Sequence, residues 1–424
     1  MRRVYAFALL AVLAASSAWA QERPRGEAIS VEGVAGPYGE RLTLDDNGLT
    51  LTFPDETVKL RIGGRVNLDY GAGSVRPPSP ADPFLDNFHV RRTWIESYLT
   101  LNKQVLLAFQ YDLADPDRPI NDALVVFRLP GDTLVSVGNG KEPFSADQMI
   151  GNVNLLFLER SLANGLVQGR TFGATLGRRW DGWTVATGVF GGNPNTGLDS
   201  EGIATTTRIT YAPITGDERT LHLGLAGNFR DLPRDGAPLL LSSQTQNQLF
   251  RRTFFTTGDV RDASSVGRIG AEIAYREGPL LVMAEYIRAE VGRFGGARPL
   301  SFQGGYVQAS LVLNGENRPY ELVPDANGTT FAAFGSVPVR EAQRLTRGGL
   351  GVFELGVRVS SLDLDEAGAT GGTEHDVTVG LSWYPDKNIR ITTNYIRSLA
   401  LPAARSGGPA LTADSISGRL QLYW

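Results

Sequence analysis

The segment Ser415–Trp424, SISGRLQLYW, decides the fold. Ile416, Gly418, Leu420, Leu422 and Trp424 fall on one side, and Ser417, Arg419, Gln421 and Tyr423 on the other. A strand turns successive side chains to opposite faces, so this strand has one apolar and one polar face. Chain ends usually fray. A strand that runs to an aromatic residue, with no polar tail, has an end that must sit somewhere specific.

The same alternation recurs throughout. In GVFELGVRVSSL, Phe353, Leu355, Val357 and Val359 alternate with Glu354, Gly356, Arg358 and Ser360. KLRIGGRVNLDY and HDVTVGLSWY read the same way. Sixteen such segments lie at 58–70, 87–101, 105–113, 122–129, 134–140, 170–179, 183–190, 202–211, 221–230, 268–276, 280–291, 304–314, 351–362, 374–384, 388–397 and 415–424. Most have the length a tilted strand needs to cross hydrocarbon. Short connections (LNKQ, PGDT, WDG, EGP, PDK) alternate with long ones at 71–86, 141–169, 231–267 and 398–414. That rhythm fits an all-β, up-and-down transmembrane barrel over 57–424, with short turns on one side and long loops on the other. A pair of soluble β-sandwiches would also alternate. Against it stand the aromatic terminus and the aromatics beside short turns, Trp180, Trp183, Trp383 and Tyr384, where an interfacial girdle would lie. On this reading Trp424 faces lipid at the periplasmic rim and the last strand closes on the first. The connection 315–350 does not fit, because its place in the order calls for a short periplasmic turn.

Residues 1–20, MRRVYAFALLAVLAASSAWA, have the basic start, short apolar run and A-x-A ending of a secretory signal. Residues 21–56 read as a flexible periplasmic lead-in with room for one short strand at 43–53. No later run has eighteen consecutive apolar residues, which excludes a membrane-spanning helix. There is no cysteine, so an exported chain of this size forgoes disulfides. Without Arg2 and Arg3, 39 basic residues face 45 acidic ones, a formal charge of −6. That argues against nucleic acid and requires any anion preference to come from local placement.

The blocks LRIGGRVNLDYG, FHVRRTWIESYL, GKEPFSADQMIGNVNLLFLERSLANG, GGYVQASLVLNGENRPYEL, GVFELGVRVSSLDL and VTVGLSWYPDKNIRITTNY resemble, in order and spacing, the phosphate-selective porin family (porins O and P). The resemblance implies sixteen strands, a homotrimer in lipid of the Gram-negative outer membrane, and a third external loop, here 141–169, folded into the lumen. It makes small anionic solutes the expected cargo. The last strand, alternating and ending in Trp424, resembles the signal that outer-membrane proteins present to their assembly machinery, and no cofactor or metal is expected from the residues. By motif the resemblance places Arg65, Arg91, Arg92, Arg160 and Asp122 at the narrowest point; Lys141 lies in the same loop, and Arg61 falls on the polar face of the first strand, so both are candidate pore-lining residues. Arg91 and Arg92 are adjacent, so strict alternation turns only one inward. Arg92 is the expected one, with Arg91 near the loop unless a bulge turns it. Phosphate-selective members carry more lysines than the four here, a lysine where Gln148 stands, and a closer-set arginine ladder than Arg234, Arg251, Arg252 and Arg261 provide.

Other motifs yield little. DLADPDRPIND lacks the glycine and terminal glutamate of a calcium loop. His89, His222 and His375 are isolated in sequence, and the Asn327 sequon has no expected use in such a protein. The reading is a passive outer-membrane porin for small hydrophilic solutes, with phosphate and other oxyanions among the anions it could admit. The alternatives are a non-conducting structural or adhesive barrel and a barrel hydrolase. The polar faces of fifteen segments carry thirteen basic against eight acidic residues, so the expected preference is for anions.

Overall fold

The computed structural model describes residues 31–424 except 36–38, 46–47, 78–85, 197–200, 244–245, 248, 250–252, 323–330 and 404–407, with backbone alone for 31–35 and Asp86. The expected signal segment, Arg251, Arg252 and Asn327 lie outside the described residues.

Three short strands come first: β1 (Val31–Ala35), β2 (Arg41–Asp45) and β3 (Gly48–Thr52). They form a meander whose last member pairs with the start of β4 (Val58–Arg76). The third lies within the expected 43–53, the second begins just before it, and the first runs through a part of the lead-in outside it.

From β4 the chain forms a closed, sixteen-strand antiparallel barrel. Its next strands are β5 (Asp86–Leu101), β6 (Val105–Asp112), β7 (Ile120–Leu129), β8 (Thr133–Lys141), β9 (Arg170–Trp180), β10 (Trp183–Phe190) and β11 (Ile203–Thr215). They continue as β12 (Arg219–Asp231), β13 (Ala263–Glu277), β14 (Leu280–Arg293) and β15 (Leu300–Val312). After a small hairpin of β16 (Tyr320–Glu321) and β17 (Ala333–Phe334), the barrel resumes with β18 (Val352–Asp363), β19 (Gly372–Asp386), β20 (Ile389–Pro402) and β21 (Leu411–Tyr423). Each of the sixteen alternating segments overlaps one barrel strand.

The burial pattern shows which solvent each face meets. On β19, Glu374, Asp376, Thr378 and Ser382 are buried while His375, Val377, Val379 and Leu381 are exposed. A soluble sheet has the reverse arrangement. Exposed apolar and covered polar faces suit lipid outside and a polar lumen inside. Among the described residues no helix is long and apolar enough to cross a membrane.

β21 pairs with β4 from Thr412↔Arg76 to Tyr423↔Arg65. The terminal Trp424 exchanges two backbone hydrogen bonds with Gly64, each 3.0 Å. A Cβ at Gly64 would lie 2.7 Å from the Trp424 ring, so this seat needs glycine. The ring is 49% exposed on the outer face. Trp180 and Trp183 are exposed, and Trp183 stacks on Tyr211 and Phe353 on Trp383 beside short turns, as a girdle requires. Tyr384 does not join them: it points to the polar side, is buried, and donates to Glu354 at 2.9 Å.

The largest apolar cluster joins the 142–169 connection, through Phe144, Ile150, Leu155, Leu162 and Leu166, to inner residues of β13, β14 and β15 such as Val266, Ile287 and Phe302. The connection holds one α-helical turn, α1 (Ala146–Met149), and a short 3-10 segment at Leu162–Leu166.

Candidate functional site: the polar face and its arginines

One irregularity in the β4–β5 ladder shapes the site. Asn67 pairs with Arg92 and Leu68 with Val90, so Arg91 is an extra residue on β5. Two residues thus oppose one, which is a β-bulge, and strict alternation fails at that point. Both arginines then reach the same carboxylate. Arg91 holds Glu159 through Nε at 3.0 Å and Nη2 at 3.3 Å, and Arg92 Nη2 stands 3.7 Å from it. Arg91 keeps 22% of its side chain exposed, whereas Arg92 keeps 6%.

Arg419 completes the cluster from β21. It binds Asp69 bidentately, at 2.7 Å for both contacts, and Glu159 at 2.8 Å. Three guanidiniums therefore face two carboxylates, a local charge of +1. Burial raises the pKa of Glu159, but Arg91, Arg92 and Arg419 outweigh it and hold the carboxyl well below the usual range. Arg92 Nη1 is buried with no hydrogen-bond partner.

The other expected residues surround this cluster or shape the loop. Arg65 on β4 bonds Glu96 through Nε at 2.5 Å and lies over the Trp94 ring at 4.4 Å. Arg61 lies over the Tyr98 ring at 4.4 Å. Asp122 on β7 accepts from Arg170 Nε at 2.6 Å. Arg170, 16% exposed, begins β9 and was missed because it stands at the end of its segment, outside the alternating register. Arg160 serves the loop itself: it donates to the Asp147 and Ile150 carbonyls at 2.9 and 2.8 Å and to Asn152 Oδ1 at 2.9 Å. Lys141 donates to the Ile150 carbonyl at 3.3 Å. The bulge brings Arg91, Arg92 and Glu159 together, whereas Arg61, Arg65 and Asp122 each have separate partners, and Arg160 and Lys141 share the Ile150 carbonyl.

Most remaining inward arginines bind backbone. Arg390 donates to the carbonyls of Leu155 and Leu156, Arg419 to Leu158, Arg358 to Glu159, and Arg268 to Leu166. Four strands thus satisfy carbonyls that an irregular segment cannot pair by itself. Glu142 accepts from Thr171, Thr206, Asn228 and Arg230, and Glu285 accepts the backbone N–H groups of Ala146 and Asp147 at 3.2 and 3.3 Å. The count of thirteen basic residues therefore overstates the charge left for a solute.

The over-long 315–350 connection is held the same way. Arg318 grips Glu354 at 2.6 and 2.8 Å and donates to the Asn154 carbonyl at 2.8 Å. Tyr320 meets His222 at 2.7 Å, and Arg208 donates to the Phe331 carbonyl at 2.8 Å. Phe331 packs with inner residues of β5, β6, β7, β8 and β10. Its length is therefore used in contacts across the polar face, which no periodic pattern announces.

Among the described residues no group of three or more His, Asp or Glu converges as a metal site. A closed barrel with an arginine-rich polar face and a lipid-facing exterior defines an outer-membrane porin. The chain belongs to the phosphate-selective porin O and P family, whose sequence model matches residues 58–424. A curated relative, an uncharacterized protein of Caulobacter vibrioides, is 26% identical over 81% of this chain and 69% of its own. Similar folds include the anion-selective porin of Comamonas acidovorans (11% identity, 86% of this chain, 100% of that one, TM-score 0.53). Pseudomonas putida OprB (10%, 86% and 94%, 0.53) and a loop-deletion form of the outer membrane protein OmpT of Vibrio cholerae (12%, 87% and 100%, 0.51) share it too.

Proposed function

We propose that this protein is a passive porin with a modest preference for small anions, exported by its N-terminal signal and working as a homotrimer. The 142–169 segment, tied to arginines of β13, β18, β20 and β21, lies across the lumen and narrows it. At that level Arg91 and Arg92 stand beside the solute path with Arg65 and Arg170. The observation that carries the reading is the bulge at Arg91. It turns two adjacent guanidiniums to one side, exceeds the local carboxylates by one charge, and leaves Arg91 the more exposed of the two, at 22%. A guanidinium fork suits an oxyanion because it can offer two N–H groups at once. Phosphate is one such solute, but the sparse lysines and the partnered arginines favour a broader anion class. The Comamonas fold neighbour is called anion-selective, which agrees with this direction. The test is the reversal potential of the purified protein in a planar bilayer under a potassium chloride gradient. Chloride preference supports the reading, and potassium preference overturns it.

A further inference from the structure

The polar face also holds a carboxylate pair that the anion route does not use. Glu374 and Asp376 lie two residues apart on β19, so both point the same way. Glu374 is 0% and Asp376 1% exposed. Neither oxygen of Glu374 has a hydrogen-bond partner, nor does Asp376 Oδ1. Asp376 Oδ2 accepts from Gln246 Nε2 at 3.0 Å. The nearby Arg358 is occupied elsewhere, donating to Gln246 Oε1 and to the Glu159 carbonyl. The hydroxyls of Ser243 and Ser398 border the two carboxylates. Ser243 belongs to the long connection between β12 and β13, and Gln246 of the same connection also bonds Ser360 at 2.5 Å.

Two buried carboxyl groups with three unpartnered oxygens are costly to leave without a counter-charge. We propose that Glu374 and Asp376, with the Ser243 and Ser398 hydroxyls, bind one hard divalent cation of the calcium class. The donor set is all oxygen, mixes charged and neutral groups, and contains neither imidazole nor thiolate, which is calcium chemistry rather than zinc chemistry. Glu374 offers two oxygens, Asp376 one and each serine one, with water able to complete the shell. The ion would tie the 232–262 connection to β19. Its role is to hold that connection in place, and it does not depend on whether the pore prefers anions.

The test uses the full mature chain, refolded in detergent free of lipopolysaccharide so that no lipid phosphate competes for the metal. Calcium is titrated calorimetrically at pH 8. One ion per chain is expected, with affinity lowered roughly ten-fold or more in Glu374→Gln and in Asp376→Asn. Asp363→Asn, on the outer face of β18, should bind as the parent does. Calcium should also raise hydrogen-exchange protection at 239–243 and 255–260 in the parent chain and not in Glu374→Gln. Both substitutions remove a buried charge without removing volume, and heat-modifiable migration shows that they fold. Absence of stoichiometric binding in the parent, or equal binding in both folded variants, overturns the proposal and leaves a proton as the neutralising partner. The reversal potential is a separate measurement, so failure here is distinguishable from failure of the porin reading.

Discussion

Replacing Glu159 by Gln should make the pore more anion-selective. Glu159 accepts from Arg91 and Arg419 and stands 3.7 Å from Arg92, while Asp69 takes the other side of Arg419. The local charge of +1 would become +2. Replacing Arg91 by Ala would take it to zero, so the two variants bracket the parent. For an ion passing at roughly 7 Å through a medium of effective dielectric ~50, one unit charge is worth about 1 kcal/mol. Screening in ~0.1 M salt, where the Debye length is about 10 Å, reduces this to roughly 0.5 kcal/mol. The anion gains that amount and the cation loses it, so the permeability ratio should change about five-fold per charge. The assay is the reversal potential in a potassium chloride gradient, repeated at ~1 M salt, where the difference should shrink because the Debye length falls to ~3 Å. Glu159→Gln leaves three guanidiniums crowded, at a cost of up to about 3–5 kcal/mol in stability, so each variant is first checked for heat-modifiable migration. If folded Glu159→Gln is no more anion-selective than the parent, or if Arg91→Ala is more so, the cluster does not face the solute path.

The depressed pKa of Glu159 sets a pH window. Its stabilising contribution is fully present above the ordinary carboxylate value of 4.5 and is lost progressively as pH falls from there toward its own lower value, so a Glu159→Gln destabilisation measured by denaturant should be equal at about pH 8 and about pH 6 and smaller at about pH 3. Deleting 145–157 should raise single-channel conductance if, as proposed, this segment narrows the lumen. It should also lower thermal stability, since Arg390 loses the Leu155 and Leu156 carbonyls; unchanged conductance in a folded deletion variant contradicts the placement. Phe331→Ala should destabilise by about 3–5 kcal/mol, because the ring fills a cluster with Tyr98, Leu106, Val126 and Leu134. Increased protease cutting within 315–350 in that variant, with the barrel intact, is the accompanying signature.

Alternation at sixteen places determined the barrel, because a wall between lipid and a polar lumen writes its two solvents into every second residue. The closing end was equally legible: SISGRLQLYW has the pattern of a strand and ends on the ring that Gly64 seats. The site was legible only in part. Arg91 and Arg92 could be singled out, but alternation admitted one of them, and the decision belonged to a bulge that depends on how β4 and β5 pair. Arg170 escaped because it begins a strand, and Arg318 because it lies in a segment without periodicity. Strand pattern tells which face a side chain takes, and it says nothing about what irregular chain comes to lie against that face. Only the tertiary structure showed that Arg268, Arg358, Arg390 and Arg419 donate to loop carbonyls. The physical reason is that carbonyls of irregular segments need donors wherever water is excluded, and those donors come from strands more than a hundred residues away in sequence.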